Sequence, residues 1–219
     1  MCFSATASFT AGAVLTGIGV VSIKKTKKTA EIPFASIPLL FALQQISEGL
    51  LWLALTNPEY AFMEDFSTHT FIAFAQVVWP FWVPFSIYAF INLKKNKLSI
   101  YVGKSLIIIG AVIACGLAYY LASYPVKAEI ISHHISYKQD YPEKYFMIGG
   151  IFYAIVTIIP HFISSNKRMW ILGISILLSF IFAKVYYTNF VVSVWCFFAA
   201  ILSSIILWIV ADKSRNQII

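Results

Sequence analysis

Gln44, Gln45, Glu48 and Trp52 lie in one long apolar stretch, and separations of three, four and seven residues put them on one face of a helix. A carboxylate flanked by two amides and an indole can hold a small polar solute by charge and hydrogen bonding. The same groups can instead serve as polar glue between helices. Glu48 falls about two turns from the end of the stretch, or about 9–12 Å deep at 1.5 Å per residue. An ionisable group at such a depth costs a few kcal/mol to insert, so it should face other helices and find a partner.

Lys184 falls near the end of a second apolar stretch, at a depth close to that of Glu48, and is the natural counter-charge. If the two pair, Glu48 is an ionised anchor. If Lys184 instead snorkels to the headgroups, desolvation holds Glu48 protonated and suits it to a proton-coupled step. Gln76 and Trp79 open the run Gln76-Val77-Val78-Trp79-Pro80-Phe81-Trp82-Val83-Pro84, whose two prolines remove two backbone donors and bend the helix. Bends of that kind border cavities, and the tryptophans can wall one or simply fill core. His134 and Tyr137 sit in the longest connection, and Trp195 lies near the start of the last apolar stretch. Cys2, Cys115 and Cys196 with His133 or His134 offer soft-metal ligands for Cu(I) or Zn, but their spacing matches no fixed ligand pattern. Cys2 becomes the first residue if Met1 is removed, where it is either a nucleophile or a small buried thiol.

The elements that must position these groups are membrane spans. The chain is 60% hydrophobic and 11% charged, against about 25% charged for a soluble domain. Its mean hydropathy is +0.80. Apolar blocks close to the 20 or so residues that cross a bilayer fall at 6–23, 32–56, 69–92, 99–121, 145–165, 169–187 and 189–211. They leave no room for a separate soluble domain, so residues 1–219 are expected to form a single all-α bundle of seven transmembrane helices. The opening Met1-Cys2-Phe3-Ser4-Ala5-Thr6 has no basic region, so no cleavable signal is expected.

The net charge of +7 would suggest nucleic acid in a soluble chain, but here it reads as topology. Lys24, Lys25, Lys27 and Lys28, then Lys94, Lys95 and Lys97, then Lys167 and Arg168, then Lys213 and Arg215, each follow an odd-numbered span. Positive loops stay inside, which gives an outside N-terminus and a cytoplasmic C-terminus in a plasma membrane, with the lipid bilayer as partner and no nucleic acid. The opposite loops, 57–68 and 122–144, are longer and carry Glu59, Glu64, Asp65, Glu129, Asp140 and Glu143. Spans 1–3 and 5–7 share an orientation, with span 4 as linker. A parallel 3+1+3 repeat would set Pro38–Glu48 against Ile174–Lys184 in depth and hydropathy.

The segments Met1-Cys2-Phe3-Ser4-Ala5-Thr6-Ala7-Ser8-Phe9, Ile37-Pro38-Leu39-Leu40-Phe41 with Gln44-Gln45 and Glu48-Gly49, Phe74-Ala75-Gln76-Val77-Val78-Trp79-Pro80, His134-Ile135-Ser136-Tyr137 and Ser193-Val194-Trp195-Cys196-Phe197-Phe198-Ala199-Ala200 resemble an uncharacterised family of small bacterial multi-pass proteins. The resemblance implies seven helices and no assigned activity. The topology is also similar to that of PQ-loop and small sugar transporters, but the Pro-Gln pair is absent from spans 1 and 5. That analogy therefore reaches only the fold.

Three functional readings follow. In the first, an outward-facing intramembrane site built from Gln44, Gln45, Glu48, Trp52, Gln76, Trp79, His134, Tyr137, Lys184 and Trp195 binds or transports a small polar solute, neutral or cationic. In the second, the chain is a membrane-embedded enzyme or metal protein using Cys2, His134 and Glu48, although no HExxH or triad spacing is present. In the third, the polar stripe is helix glue in a structural partner subunit that binds no ligand.

Overall fold

In the computed structural model the described residues are 4–91, 97–131, 133–140, 143–164, 166–186 and 198–216. They form helices α1 (Ala5–Lys24), α2 (Ile32–Ala35), α3 (Ile37–Thr56), α4 (Glu64–Ala73), α5 (Trp79–Phe90), α6 (Lys97–Ser123), α7 (Glu143–Ile158), α8 (Lys167–Tyr186) and α9 (Ala199–Asn216). Strands β1 (Val126–Ile131) and β2 (His134–Gln139) form a hairpin between α6 and α7. With α2–α3 and α4–α5 each taken as one broken helix, the described helical segments number seven. Five of the spans among the described residues, Ala5–Lys24, Thr29–Thr56, Pro58–Phe90, Lys97–Ser123 and Lys167–Tyr186, are long and apolar enough to cross a membrane.

Local chemistry sets where the helices start and break. Ser4 caps α1, its Oγ accepting from the Ala7 N–H at 3.2 Å. Prolines 33 and 38 sit in the first turns of α2 and α3, where a missing N–H does no harm. The Pro33 carbonyl accepts from the Trp82 indole at 3.1 Å and from the Ser36 hydroxyl at 2.9 Å. The expected opening of the third span at residue 69 is corrected: Asn57 caps a short 3-10 turn, Pro58–Met63, and the helix begins at Glu64.

Between α4 and α5 the chain widens into a π turn, Phe74–Val78. The Trp79 N–H donates to the Phe74 carbonyl, and Pro80 has no N–H to give. The Ala75 carbonyl is thereby left without an intrahelical donor. Tyr153 of α7 supplies one, its hydroxyl donating at 2.7 Å. A turn later, Pro84 cannot serve the Pro80 carbonyl, and that oxygen lies against Gly110 of α6 so closely that a Cβ would collide with it. The two prolines thus dictate what α6 and α7 must present to this helix.

The connection 122–144, expected to be a loop, holds the hairpin instead. Val126 pairs with Gln139, Ala128 with Tyr137 and Ile130 with Ile135 on one face, while Lys127 pairs with Lys138, Glu129 with Ser136 and Ile131 with His134 on the other. His133 takes the left-handed conformation at φ 72°, which a two-residue hairpin turn demands. The first face docks on the bundle. Ala128 and Ile135 bury against Leu51 and Trp52, Val126 packs with Phe71 and Ile72, and Tyr137 stacks on Phe71 at 4.8 Å. The bundle therefore has a hairpin end and, opposite it, a basic end where α1 finishes at Lys24.

The polarity of the bundle is inverted relative to a water-soluble protein. Val112 is 68% exposed, Ile108 65% and Leu178 59%, whereas Gln44, Gln45 and Glu48 are at most 1% exposed. The largest apolar core lies toward the basic end and joins α2, α5, α8 and α9 through Phe34, Ile87, Phe90, Leu172 and Ile209. The expected tight turn at Tyr187-Thr188-Asn189 lies outside the described residues.

Removing the Tyr153 hydroxyl orphans the Ala75 carbonyl, so Tyr153→Phe should destabilise the solubilised protein by about 1–3 kcal/mol. Gly110→Ala, which forces α6 off the Pro80 carbonyl, should cost at least as much. Thermal unfolding in one detergent checks both, and an unchanged Tm for either would show that the contact is not made.

Candidate functional site

The α3 stripe comes together as its spacing requires. Gln44 turns toward α5, where the Trp79 indole N–H donates to its Oε1 at 2.9 Å. Phe41 supports the same indole, with ring centroids 4.3 Å apart. One position along, the Gln45 amide donates to Glu48 Oε2 at 3.3 Å. Glu48 has no exposed surface. Trp52, one turn nearer the hairpin, packs beneath Ala128 and Ile135.

Gln76 occupies the middle of the π turn and reaches the hairpin, its Nε2 donating to Gln139 Oε1 at 2.9 Å. Tyr137 is held by its stack on Phe71. His134 and Ser136 are buried although they lie on the other hairpin face. Burial, followed by the charge of neighbouring His133, pushes the His134 pKa below its ordinary value. His134 is therefore neutral at pH 7 and suited to accepting a proton or a hydrogen bond rather than giving up a proton. On the exposed side, the Lys138 ammonium 2.7 Å from Glu129 draws that carboxyl below its usual range.

Of the buried polar atoms that lack a hydrogen-bond partner among the described residues, Ser22 Oγ and Ser203 Oγ lie away from the hairpin, and most of the others fall in the hairpin half of the bundle. These others include Ser8 Oγ, Gln45 Oε1, Trp52 Nε1, Ser67 Oγ, Thr68 Oγ1, Gln76 Oε1 and Gln139 Nε2. Ser67 and Thr68 precede Phe71 by four and three residues and so share its face of α4. Ser8 lies at the level of Glu48, because Phe9 is the side chain that a Cβ at Gly49 would strike. A buried polar group left unmatched costs about 1–3 kcal/mol, so a set of them marks a place where water or a solute completes the bonding. Sequence reasoning found Gln45, Trp52 and Gln76 but missed Ser8, Ser67, Thr68 and Gln139. Small hydroxyls carry no charge signal, and Gln139 matters only once the hairpin is folded.

The other sequence candidates lie elsewhere. Lys184 is exposed near the C-terminal end of α8, and no ion pair among the described residues joins it to Glu48. Trp195, Cys2 and Cys196 fall outside the described residues. Cys115 is exposed on α6. Among the described residues no three His, Cys, Asp or Glu side chains come together. An open groove of about 530 Å³ lined by Asp65, Phe66, His69, Thr70, Ala73 and Leu121 lies on the flank of α4, away from the stripe.

The basic end carries a cluster that the sequence reading used only for topology. Lys213 of α9 pairs with the buried carboxylate of Glu31 at 3.2 Å and donates to the Phe90 carbonyl, over whose ring it sits at 3.7 Å. Glu31 also accepts from the Lys27 N–H at 3.1 Å. Beside them Arg168 of α8 pairs with Asp212 and lies 4.5 Å from the Trp208 ring. The end of α9 is thus clasped to the α1–α2 connection, α5 and α8.

Over residues 1–218 the chain matches the model of a family of unknown function, DUF6629, and it belongs to that family. No curated protein and no solved structure matches it.

Two outcomes follow from these contacts. Glu31→Gln leaves the Lys213 ammonium without its carboxylate and should lower stability by about 2 kcal/mol, a value reduced because Lys213 is partly solvated; an equal Tm would make the clasp incidental. Keeping His134 neutral contributes stability that is fully present above its ordinary pKa of 6.5 and is lost as the pH falls below it. Melting at pH 7.5 and at pH 5 should therefore show an acid loss that is smaller in His134→Gln, and an identical loss in both proteins would remove His134 from the hairpin's stability.

Proposed function

We propose that this protein is a seven-span protein of the plasma membrane, with its hairpin end outside and its basic end in the cytoplasm, and that it binds a small polar solute in the outer half of the bundle as a step in transport. The inverted polarity supports the membrane assignment, since lipid is the solvent that suits exposed Ile108, Val112 and Leu178. The orientation rests on the basic runs, and a parallel 3+1+3 repeat about α6 accords with it.

One observation carries the binding reading. Unmatched buried acceptors, donors and hydroxyls on α1, α3, α4, the π turn and the hairpin lie in the same half of the bundle as Glu48, a carboxylate with no exposed surface. Gln45 and Gln76 offer acceptors, Trp52 and Gln139 offer donors, and Trp52 and Trp79 offer aromatic wall. Such a mixture suits neutral or cationic solutes that both give and take hydrogen bonds. A second reading has an observation of its own: Gln44 is satisfied by Trp79, so this part of the stripe works as helix glue. The two divide the stripe, Gln44 clamping helices and Gln45 with Glu48 facing the solute.

A fluorescent protein fused after the last residue should fluoresce, and a periplasmic phosphatase inserted between Ile131 and His134 should be active; the reverse pattern would invert the topology. A panel of small amines, amides and polyols should include compounds that raise the Tm of the solubilised protein. That shift should vanish in Glu48→Gln and persist in Lys184→Gln. A full shift in Glu48→Gln would remove the carboxylate from the site.

A further inference from the structure

We propose that the β1–β2 hairpin is the lid of this site, latched by the Gln76–Gln139 amide pair, so that solute reaches Gln45 and Glu48 only when the hairpin lifts. The inference rests on the binding reading above and adds the route of access. Trp52, whose indole N–H has no partner among the described residues, lies directly under Ala128 and Ile135. Glu48 and Gln45 continue the same helix face one and two turns below it. Thr68 and Ser67 flank Phe71, the ring on which Tyr137 stacks. The hairpin therefore covers the top of the unmatched polar set on both α3 and α4.

A two-stranded hairpin is only marginally stable alone, so its docking contacts decide whether it is down or up. Those contacts are the Tyr137–Phe71 stack, Val126 against Phe71 and Ile72, Ala128 and Ile135 against Leu51 and Trp52, and the amide bond between Gln76 and Gln139, the one polar side-chain bond among them. The Lys138–Glu129 pair is exposed and stays within the hairpin, so it moves with the lid rather than holding it. The latch lands on the π turn, a segment whose backbone bonding is already displaced by Pro80. The amide pair also uses only half its capacity, leaving Gln76 Oε1 and Gln139 Nε2 unmatched. One neutral hydrogen bond of this kind holds an equilibrium by about tenfold.

The test needs no knowledge of the solute. In protein whose three cysteines are replaced by serine, Gln45→Cys is the reporter, and its modification by a membrane-impermeant maleimide is timed in outward-facing vesicles. Ser22→Cys, buried near the basic end, is the control for intact folding. The reporter should react slowly with the latch in place, about tenfold faster with Gln139→Ala, and more slowly than the parent when Gln76→Glu and Gln139→Lys replace the amide pair by an ion pair, with Ser22→Cys unreactive throughout. Fast labelling of the reporter whatever the latch would overturn the lid and leave the site standing. No labelling even with Gln139→Ala and Tyr137→Ala combined would overturn both, because the polar core would then be sealed.

Discussion

Glu48 is a carboxylate with no exposed surface in a bundle whose exterior is apolar, and the surrounding structure answers that constraint. A buried carboxylate is tolerated only where donors and polar neighbours meet it. Gln45 gives one donor from within the same helix, and the stripe must then face neighbours rather than lipid. That fixes the rotation of α3, and with it the meeting of Gln44 and Trp79 and the placing of Trp52 under the hairpin. Among the described residues no salt bridge joins Glu48 to Lys184, the charge that depth alone suggests as its partner. Depth along two helices says nothing about whether they are neighbours, and α8 lies against α7 and α9 instead.

The two ends of the bundle are built on different principles. At the basic end the charges are matched: Lys213 with Glu31, and Arg168 with Asp212, each tying α9 to other helices. At the hairpin end, apart from Glu48 and the exposed Lys138–Glu129 pair, several neutral buried groups carry an unmatched atom, and the hairpin over them is held by apolar packing, one ring stack and one amide bond. A bundle tied by ion pairs at one end and covered by a hairpin at the other is asymmetric along its axis, which is what the proposed access from the hairpin side requires.

Much of this was legible in the chain. The α3 stripe follows from helical spacing, and the apolar blocks locate spans 1, 2, 4, 5 and 6 to within a few residues, whereas the third helix begins five residues early and the start expected for the seventh lies outside the described residues. What was not legible depends on pairing at a distance. The stretch Val126-Lys127-Ala128-Glu129-Ile130 alternates as a strand should, but the sequence that follows it lacks the Asn-Gly signal that announces a hairpin, and it reads as a loop. The prolines at 80 and 84 foretell a bend. They do not foretell that Trp79 will bond to Phe74, that Ala75 will need a donor from Tyr153, or that Gln76 will be turned toward Gln139. Glu31, an acid close behind the basic run of Lys24 to Lys28, was a signal that went unused, because its partner stands at the far end of the sequence.

The most direct test of a solute site around Glu48 is native mass spectrometry of the protein after gentle solubilisation, with Glu48→Gln alongside. A small-molecule adduct on the wild-type protein that is absent from Glu48→Gln is the predicted result, and its mass would name the solute. An identical adduct on both proteins, or a bare mass for the wild type under conditions that retain bound lipid, would contradict the account and leave the stripe as helix glue.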